Sequence, residues 1–321
     1  MALVRVHSAE EWIAKFGSAR KRTAVTIGNF DGVHRGHQDI LRRTVELARK
    51  TGALATVLTF YPHPARVLRP EKAPPLIMTL DQRLAAFDAL GVEAALILSF
   101  DEKLAQRTAE DFVKIFLMDA LRASTVLVGG NFRFGHAQAG DVKLLERLGT
   151  AMGFAVEIVA PVGENGVVVS STGIRKAVSE GLMEEAARML GRPFALAGEI
   201  QTGTGMGRKF VVPTLNQKTP QELLPRLGVY ATETFLQGRC YQSATNVGTR
   251  PTFEGEKITI ETHLLDFNEN LTDGPMEIRF LTRLRGEQKF PGPEALREQI
   301  LKDIQNARKF FEMSSRADAN K

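Results

Sequence analysis

The sequence has almost no cysteine and no long apolar run, and both absences limit the kind of protein it encodes. Cys240 is the single cysteine among 321 residues, so an intrachain disulfide is excluded. Nowhere do about 18 uncharged apolar residues follow one another, the length that a membrane-spanning helix needs. The opening MALVRVHSAEEW also lacks the apolar stretch of an export signal. We therefore expect a cytoplasmic protein with no membrane partner.

The sequence also lacks a block of basic residues. Lys and Arg number 42 against 37 Asp and Glu, which gives a net charge of +5. Because the basic residues are scattered among the acidic ones, they do not form the patch that is typical of nucleic-acid-binding proteins. We expect no nucleic-acid partner, and we interpret the small positive excess as suited to anionic nucleotides.

The pattern of apolar residues changes near residues 186–197 and predicts two domains, 1–186 and 187–321. In the first domain, apolar runs such as AVTIGNF, ALATVLTF and STVLVGGNF alternate with helical patterns, for example at 81–90 and 108–121. Strand and helix in alternation predict an α/β fold with a parallel sheet and helices on both faces.

The second domain has a different pattern. Short alternating segments such as GVYATETFLQG and KITIETHLLDF are broken by Gly, Pro and Asn. This pattern predicts an all-β antiparallel barrel or sandwich, of which we take the barrel. A C-terminal helix follows from about Pro293 to Phe311, with apolar residues on one face and charges on the other.

The most informative segment is VTIGNFDGVHRGH at 25–37, where an apolar strand enters a turn and then a helix. The segment contains three glycines, Gly28, Gly32 and Gly36. We expect them to allow positive φ values and close approach of a ligand, while the free N–H groups of the helix start favour phosphate. His34 and His37 are three residues apart, so we expect both to face one side of the helix and to donate hydrogen bonds to one triphosphate.

A metal site is the alternative interpretation of the two histidines. A helical zinc pair normally has four residues of separation with a Glu between, and no third His, Cys or carboxylate follows at ligand spacing here. Phosphate binding is therefore favoured.

Three predicted strands, VTIGNF, VLTFYPHP and VLVGGNFRFG, end in polar or aromatic residues. Because ligands bind beyond the carboxyl ends of parallel strands, these ends predict one shared pocket.

GNFDGVHRGH resembles the signature of the HxGH nucleotidyltransferases, in the form carried by bacterial bifunctional riboflavin kinase/FAD synthetases. TFYPHP at 59–64, VGGNFRFG at 128–135, SSTGIR at 170–175 and MLGRP at 189–193 match the adenylyltransferase half of that family in order and spacing. VPTLN, GVYAT, NVGTRPTF and IETHLLDF resemble the flavokinase half. The resemblance covers nearly the whole chain and implies that riboflavin is phosphorylated to FMN and FMN is adenylylated to FAD.

The resemblance implies three groups of site residues in the first domain. The catalytic group is His34, His37 and Arg175, which would neutralise the leaving pyrophosphate. The nucleotide-binding group is Gly28, Asn29, Phe30, Gly36, Ser170, Ser171 and Thr172. The flavin-binding group is Asn131, Phe132, Arg133 and Phe134. From the residues alone, 170–175 is equally well an ordinary capped helix, and one ring of the aromatic pair is a core side chain.

The resemblance implies a second set of site residues in the barrel. Glu261 is the general base, Gly205 and Gly207 contact ATP phosphates, and Mg²⁺ binds Thr214 and Asn216. The oxygens of these two side chains suit Mg²⁺, which takes few protein ligands beside substrate phosphates. From the residues alone, alternation puts Glu261 on one strand face, where a solvated carboxylate is the other interpretation.

The chain departs from the family pattern at several positions. Val211 and Val212 stand where a glycine and an aromatic residue are usual, Leu215 replaces alanine, and Asn131 replaces aspartate. The first of these motivates an alternative function, an FMN adenylyltransferase whose second domain is a flavin-binding or assembly module. A third hypothesis, adenylylation of nicotinamide mononucleotide, is disfavoured by the second domain. The expected ligands are ATP with Mg²⁺, riboflavin, FMN, FAD and pyrophosphate, and self-association stays open.

Overall fold

The computed structural model describes residues 2–18, 21–164, 167–201, 212–252, 255–267 and 271–319. The chain divides into two compact units, Met1–Ser171 and Thr172–Lys321. Each unit has an apolar core of its own. Within the described residues, no helix is both long enough and apolar enough to cross a membrane.

The first unit is built on a parallel sheet, as the alternation of apolar runs predicts. Its strands are β1 (Val4–Val6), β2 (Thr23–Ile27), β3 (Leu54–Tyr61), β4 (Ala94–Ser99), β5 (Ala123–Gly129) and β6 (Ala155–Val159). Their order is β1-β4-β3-β2-β5-β6, and every pairing is parallel. β2 is buried at all five positions, since helices cover both faces of such a sheet. A short antiparallel pair, β7 (Gly163–Glu164) and β8 (Val167–Val168), follows.

Helices connect the parallel strands. They are α1 (Ala9–Phe16), α2 (Arg35–Thr51), α3 (Pro64–Leu68), α4 (Leu80–Ala89), α5 (Glu102–Ala105), α6 (Ala109–Phe112) and α7 (Val142–Met152). α6 continues as a π-helix over Val113–Ala120. Capping fixes several starts: at α4 the Thr79 hydroxyl accepts from Gln82 N–H, and the Gln82 side chain accepts from Thr79 N–H. Trp12 on α1 is buried in the core of this unit.

The second unit contains the predicted barrel. After α8 (Ser171–Glu180) and α9 (Met183–Leu190) come β9 (Phe194–Gln201), β10 (Leu215–Lys218), β11 (Gly228–Leu236), β12 (Arg239–Thr252), β13 (Gly255–Leu264) and β14 (Pro275–Gly286). These strands close in the order β10-β13-β12-β11-β14-β9, with antiparallel pairings. The barrel is therefore confirmed. The C-terminal helix α10 (Pro293–Ala319) extends beyond the Phe311 that the sequence predicts.

Hydroxyl groups fill part of the barrel interior. The group is Thr232, Thr234, Ser243, Thr245 and Thr262, all fully buried. Their hydroxyls bond one another at 2.7–2.9 Å, so the polar atoms satisfy each other where water does not reach. On the outside, Ala307 and Phe311 of α10 pack against Ala231 and Ala244 of the strands. The inner face of these strands therefore carries the paired hydroxyl groups, and the outer face carries apolar residues that contact α10.

The predicted boundary between residues 186 and 187 lies inside α9. Met183 and Ala186 on this helix are fully buried, and the helix packs on β9 and β14. The main-chain N–H of Arg226, just before β11, donates to the carbonyl of Val178 at the end of α8. Both helices therefore belong structurally with the barrel.

We expect a chain of residues 172–321 to be more stable than a chain of residues 187–321. The shorter chain loses the buried Met183 side chain, worth about 2 kcal/mol of unfolding free energy, and the bond to Val178. Thermal unfolding followed by far-UV circular dichroism measures the difference. Equal midpoints would show that α8 and the first turn of α9 do not stabilise the barrel.

Candidate active sites

Three neighbouring strands carry the motifs of the first unit. β3, β2 and β5 lie side by side, so their carboxyl ends meet at one edge of the sheet. The end of β2 is fixed by a hydrogen bond of 3.1 Å from the Gly28 N–H to the Leu58 carbonyl of β3. The turn that follows lies where open α/β sheets bind ligands.

The turn between β2 and α2 owes its left-handed backbone mostly to residues other than glycine. Gly32 has φ of 87°, but Phe30 and Val33 also have positive φ, at 50° and 39°. Gly28 and Gly36 do not, so the expectation of positive φ is wrong for them. A left-handed conformation costs about 1–2 kcal/mol at a residue with a Cβ. The turn keeps this strain because both side chains are buried in the core, at 3% and 1% exposure.

Gly28 and Gly36 are needed for space instead. A Cβ at Gly28 would lie 3.2 Å from the Phe30 ring. A Cβ at Gly36 would lie 3.3 Å from the His34 ring. Both distances are tighter than ordinary carbon contacts, so a larger residue would push a ring of the turn away. The glycines therefore allow the rings to lie close to the backbone.

His34 caps helix α2 and precedes it, contrary to the expectation that it lies on the helix face. Its Nδ1 accepts the main-chain N–H of His37 at 3.3 Å. The two imidazole rings are stacked, with centroids 3.6 Å apart and 18° between the planes. Because Nδ1 is an acceptor, the neutral His34 ring carries its hydrogen on Nε2. Nε2–H is therefore the donor that this ring can offer to a ligand.

His37 is held neutral by its surroundings. Burial lowers the pKa of His37 well below its ordinary 6.5, and the neighbouring His34 lowers it further. Its Nδ1 is buried and meets no hydrogen-bonding group within the part of the chain that the structure describes. The edge of the Phe30 ring lies against it, with centroids 5.2 Å apart. At neutral pH His37 therefore provides an uncharged N–H donor.

Asp31 anchors the turn to the segment that precedes α4. This carboxylate is 3% exposed and accepts the main-chain N–H groups of Ile77 and Met78 at 3.1–3.2 Å. The Asp31 carbonyl accepts the Ser171 hydroxyl at 2.9 Å, so Ser171 already has a protein partner. Ser170 precedes the first residue of α8 and is half-buried.

Thr172 and Arg175 lie on α8 within the second unit. Thr172 is exposed and Arg175 is half-buried. Ser171, the first residue of the same helix, is the last residue of the first unit.

The flavin motif after β5 has one buried and one accessible ring. Phe134 is buried and belongs to the core, where it contacts Phe112 at 6.0 Å between centroids. Phe132 is half-buried and stacks on Phe134, with centroids 5.4 Å apart and 14° between planes. Asn131 and Arg133 are exposed, and Arg133 lies 3.6 Å from a carboxylate oxygen of Asp141. Phe132 therefore offers the free aromatic face.

Arg83 was missed by the sequence reasoning. This guanidinium is 1% exposed and donates from Nη1 to the carbonyl of Asn29 at 2.5 Å. The signal was present: Arg83 stands on the apolar stripe of α4 beside Leu84 and one turn before Phe87, both buried. A charged residue on a buried stripe needs a polar partner, which identifies it as a candidate.

The second unit contains a cavity of about 610 Å³ between the outer face of the barrel and α10. Its lining includes Thr214, Asn246, Arg250, Glu261 and His263 from the strand side, and Leu296, Ile300 and Ile304 from the helix. Asn216 is not in the lining, but it pairs with Glu261 across β10 and β13. Gly205, Gly207 and Val211 lie outside the described residues.

Glu261 lies in this cavity beside a cation. Its Oε1 is 3.2 Å from Nη2 of Arg250, and the carboxylate side chain is 27% exposed. Thr262, the next residue, points to the barrel interior and bonds Thr245 at 2.9 Å. His263 lies on the same face as Glu261, with Nδ1 2.9 Å from the Pro213 carbonyl. A carboxylate, an arginine and an imidazole thus share one polar wall.

Sequence reasoning also missed the residues that hold α10 over the cavity. Asp303 is 4% exposed and forms a two-point ion pair with Arg285 of β14, at 2.7 and 2.9 Å. Gln299 donates to the same carboxylate at 2.9 Å. The only sequence signal is an acidic residue at helical spacing from the apolar Ile300 and Ala307. Arg250 likewise depends on strand register, which fixes its distance from Glu261.

Comparison with known proteins covers both halves of the chain. The family model for FAD synthetase matches residues 17–173, and that for riboflavin kinase matches residues 190–311. A bifunctional riboflavin kinase/FMN adenylyltransferase of Pseudomonas fluorescens is 38% identical over 88% of this chain and 91% of its own length. The protein of that name in Escherichia coli K12 is 35% identical over 91% and 94%. The chain belongs to this bifunctional family.

A solved structure shares the fold along nearly the whole chain. The crystal structure of a protein from Streptococcus pneumoniae, described as a macrolide-efflux protein, has a TM-score of 0.86 and 28% identity. The similarity covers 96% of this chain and 99% of that one. Both units of the family member described here therefore have counterparts in a single known chain.

The neutral state of His37 predicts a pH effect on the first unit of this family member. The unfolded chain binds a proton at His37 below about pH 6.5, and the folded protein does so only at lower pH. Stability is therefore full above pH 6.5 and falls as the pH drops towards the lowered pKa, by about 1 kcal/mol between pH 7.5 and 5.5. Urea unfolding followed by the fluorescence of Trp12, the single tryptophan, measures it.

His37→Gln should remove this part of the pH dependence, because glutamine binds no proton. His136→Gln is the matched control, since His136 is an exposed histidine of the same unit. If the wild type and His37→Gln lose equal stability between pH 7.5 and 5.5, the neutral state of His37 is contradicted.

Proposed function

We propose that the protein transfers the γ-phosphoryl group of ATP to riboflavin, and then the adenylyl group of a second ATP to FMN, which yields FAD. The observation that carries the proposal is family membership along both halves of the chain. The two candidate sites support it, because the turn after β2 and the barrel cavity each carry groups suited to one of the reactions. Both reactions use ATP as a co-substrate, so we place the enzyme in the cytoplasm.

Adenylylation is assigned to the turn after β2. An oxygen of the FMN phosphate attacks the α-phosphorus of ATP, the bond to the β-phosphate oxygen breaks, and pyrophosphate leaves. His34 donates from Nε2 and His37 donates as a neutral ring to the oxygens on which charge develops. Arg175 is assigned to the departing pyrophosphate. Gly28, Asn29, Phe30, Gly36, Ser170, Ser171 and Thr172 are assigned to nucleotide contacts.

Flavin recognition in the first unit is assigned to the segment after β5. The accessible face of Phe132 suits stacking with the flat isoalloxazine ring. The exposed Asn131 and Arg133 offer an amide and a cation for the ribityl chain and phosphate. Phe134 supports Phe132 from the core and makes no direct contact in this scheme.

Phosphorylation is assigned to the barrel cavity. Its volume of about 610 Å³ is in the range of sites for cofactor-sized ligands, and α10 supplies an apolar wall for a flat ring. Glu261 takes the proton of the riboflavin 5′-hydroxyl as that oxygen attacks the γ-phosphorus; the bond from the γ-phosphorus to the β-phosphate oxygen breaks, and ADP leaves. Arg250, 3.2 Å from the carboxylate, holds it in place on the cavity wall.

Mg²⁺ is assigned to Thr214 and Asn216. The donor set fits: Thr214 lines the cavity together with Glu261, Asn216 is the cross-strand partner of Glu261, and both side chains offer neutral oxygens. Mg²⁺ usually completes its coordination with waters and phosphates. In the described residues no group of three or more His, Cys, Asp or Glu could hold a metal alone. When bound, the ion would neutralise charge on the ATP phosphates.

The test is to separate the two reactions on one chain. Purified protein is given riboflavin or FMN with ATP and Mg²⁺, and flavins are separated by chromatography. Glu261→Gln should lower FMN formation by about 10²–10⁴-fold, because the proton acceptor is lost, while FAD formation from FMN persists. His37→Ala should lower FAD formation by about 10²-fold and spare phosphorylation.

Matched controls are Glu277→Gln and His136→Ala. Glu277 is also a strand carboxylate paired with an arginine, 2.8 Å from Arg279, but it does not line the cavity. A Glu261→Gln rate within about threefold of wild type would reject the base. FAD made only from supplied FMN would support the adenylyltransferase with a non-catalytic barrel, and no flavin product would reject the proposed function.

A further inference from the structure

Arg83 is a buried cation whose hydrogen bonds are incomplete. It lies on the apolar stripe of α4 and is 1% exposed. Nη1 donates to the Asn29 carbonyl at 2.5 Å, while Nε and Nη2 are buried with no hydrogen-bond partner among the described residues. Burial of a guanidinium is unfavourable, and unmet donors add to the cost. An apolar side chain would satisfy the core better, so stability alone does not account for the arginine.

The charge of Arg83 is balanced by Asp31, the anchor of the turn. Burial lowers the pKa of Arg83, and the negative charge of Asp31 opposes that effect. Asp31 is itself held by the N–H groups of Ile77 and Met78 just before α4. The turn after β2 and the start of α4 are thus joined by opposite charges in a buried place.

α4 holds the turn at two residues that are one helical turn apart. Arg83 bonds the carbonyl of Asn29, and Phe87, one turn further along the helix, contacts the Phe30 ring edge-to-face at 5.6 Å. Phe30 has the left-handed φ of 50°, and the centroid of its ring lies 5.2 Å from that of the His37 ring. The position of His37 therefore depends on a strained residue that α4 keeps in place.

We propose that Arg83 is a positioning residue for adenylyl transfer, which acts by fixing the Asn29 carbonyl and thereby the Phe30 ring that supports His37. The proposal rests on the proposed adenylyltransferase function. Without Arg83, Phe30 relaxes from its strained conformation and His37 loses its support. A displacement of about 1 Å in a transition-state donor lowers a rate by about 10²-fold.

The experiment compares Arg83→Met and Arg83→Lys in the full chain. Arg83→Met should lower the kcat of FAD formation by about 10²-fold and change the KM for ATP by less than about threefold. Arg83→Lys should recover activity to within about tenfold of wild type, because an ammonium group keeps the charge beside Asp31 and can donate to the same carbonyl. Riboflavin phosphorylation should stay within about twofold in both variants.

The matched control is Arg22→Met. Arg22 also donates to main-chain carbonyls of the first unit, those of Ala123 and Gly153 at 3.0 and 3.1 Å, but at the amino ends of the strands. This variant should leave FAD formation within about threefold of wild type. An equal loss in Arg22→Met would overturn the proposal, since it would show a general effect of removing such an arginine.

A second measurement does not depend on activity. In the isotope-labelled protein, the imidazole C–H resonances of His37 sense the ring current of Phe30, so Arg83→Met should shift them and Arg22→Met should not. Unshifted His37 resonances, or unfolding of the first unit detected by Trp12 fluorescence, would overturn the proposal. If the wild type makes no FAD from FMN while Arg83→Met shifts the resonances, the proposed function fails and the structural coupling stands.

Discussion

The burial of β2 on both faces is the constraint on which the first unit depends. All five of its residues are buried between helices, and its last hydrogen bond, from Gly28 to Leu58, ends the strand at the edge of the sheet. The chain must leave the sheet there within a few residues, because a longer strand would extend beyond the helices that cover the sheet. The resulting left-handed turn brings the His34 cap and the start of α2 to the carboxyl ends of three strands. The position of the turn, and the side chains that it presents to a ligand, therefore follow from the burial of β2.

In the barrel, a comparable constraint is that successive side chains of a strand alternate between the inner and the outer face. Thr262 is locked inside by its bond to Thr245, and this bond leaves its neighbours Glu261 and His263 on the outer face. Antiparallel register then sets Asn216 and Asn246 on either side of Glu261. The carboxylate that we propose as the base is therefore positioned by pairs of hydroxyl groups in the barrel interior. In both units, a strand that is fixed by its buried contacts holds a polar group at an accessible position.

The fold and the histidine pair could be predicted from the sequence because the signals are local. Alternating apolar runs fixed the parallel sheet, and HRGH fixed the position of both rings at a helix start. Other features depend on distant partners. Nothing in the sequence indicates that Phe30 and Val33, rather than Gly28, take positive φ, since tertiary burial supplies the compensation. Arg83 bonds a carbonyl 54 residues away, and Arg250 reaches Glu261 only through strand register.

Half of the buried side-chain polar atoms that lack a hydrogen-bond partner among the described residues lie at the turn after β2. The hydroxyls of the barrel interior pair with one another, so they stabilise the barrel and need no ligand. At the turn after β2 the Asn29 Oδ1, the His37 Nδ1 and two nitrogens of Arg83 are buried with no hydrogen-bond partner among the described residues. Each such atom costs free energy in the folded protein. Selection for stability alone would remove them, so their concentration beside the histidine pair agrees with the catalytic role proposed for this turn, which requires a rigid and polar turn more than a stable one.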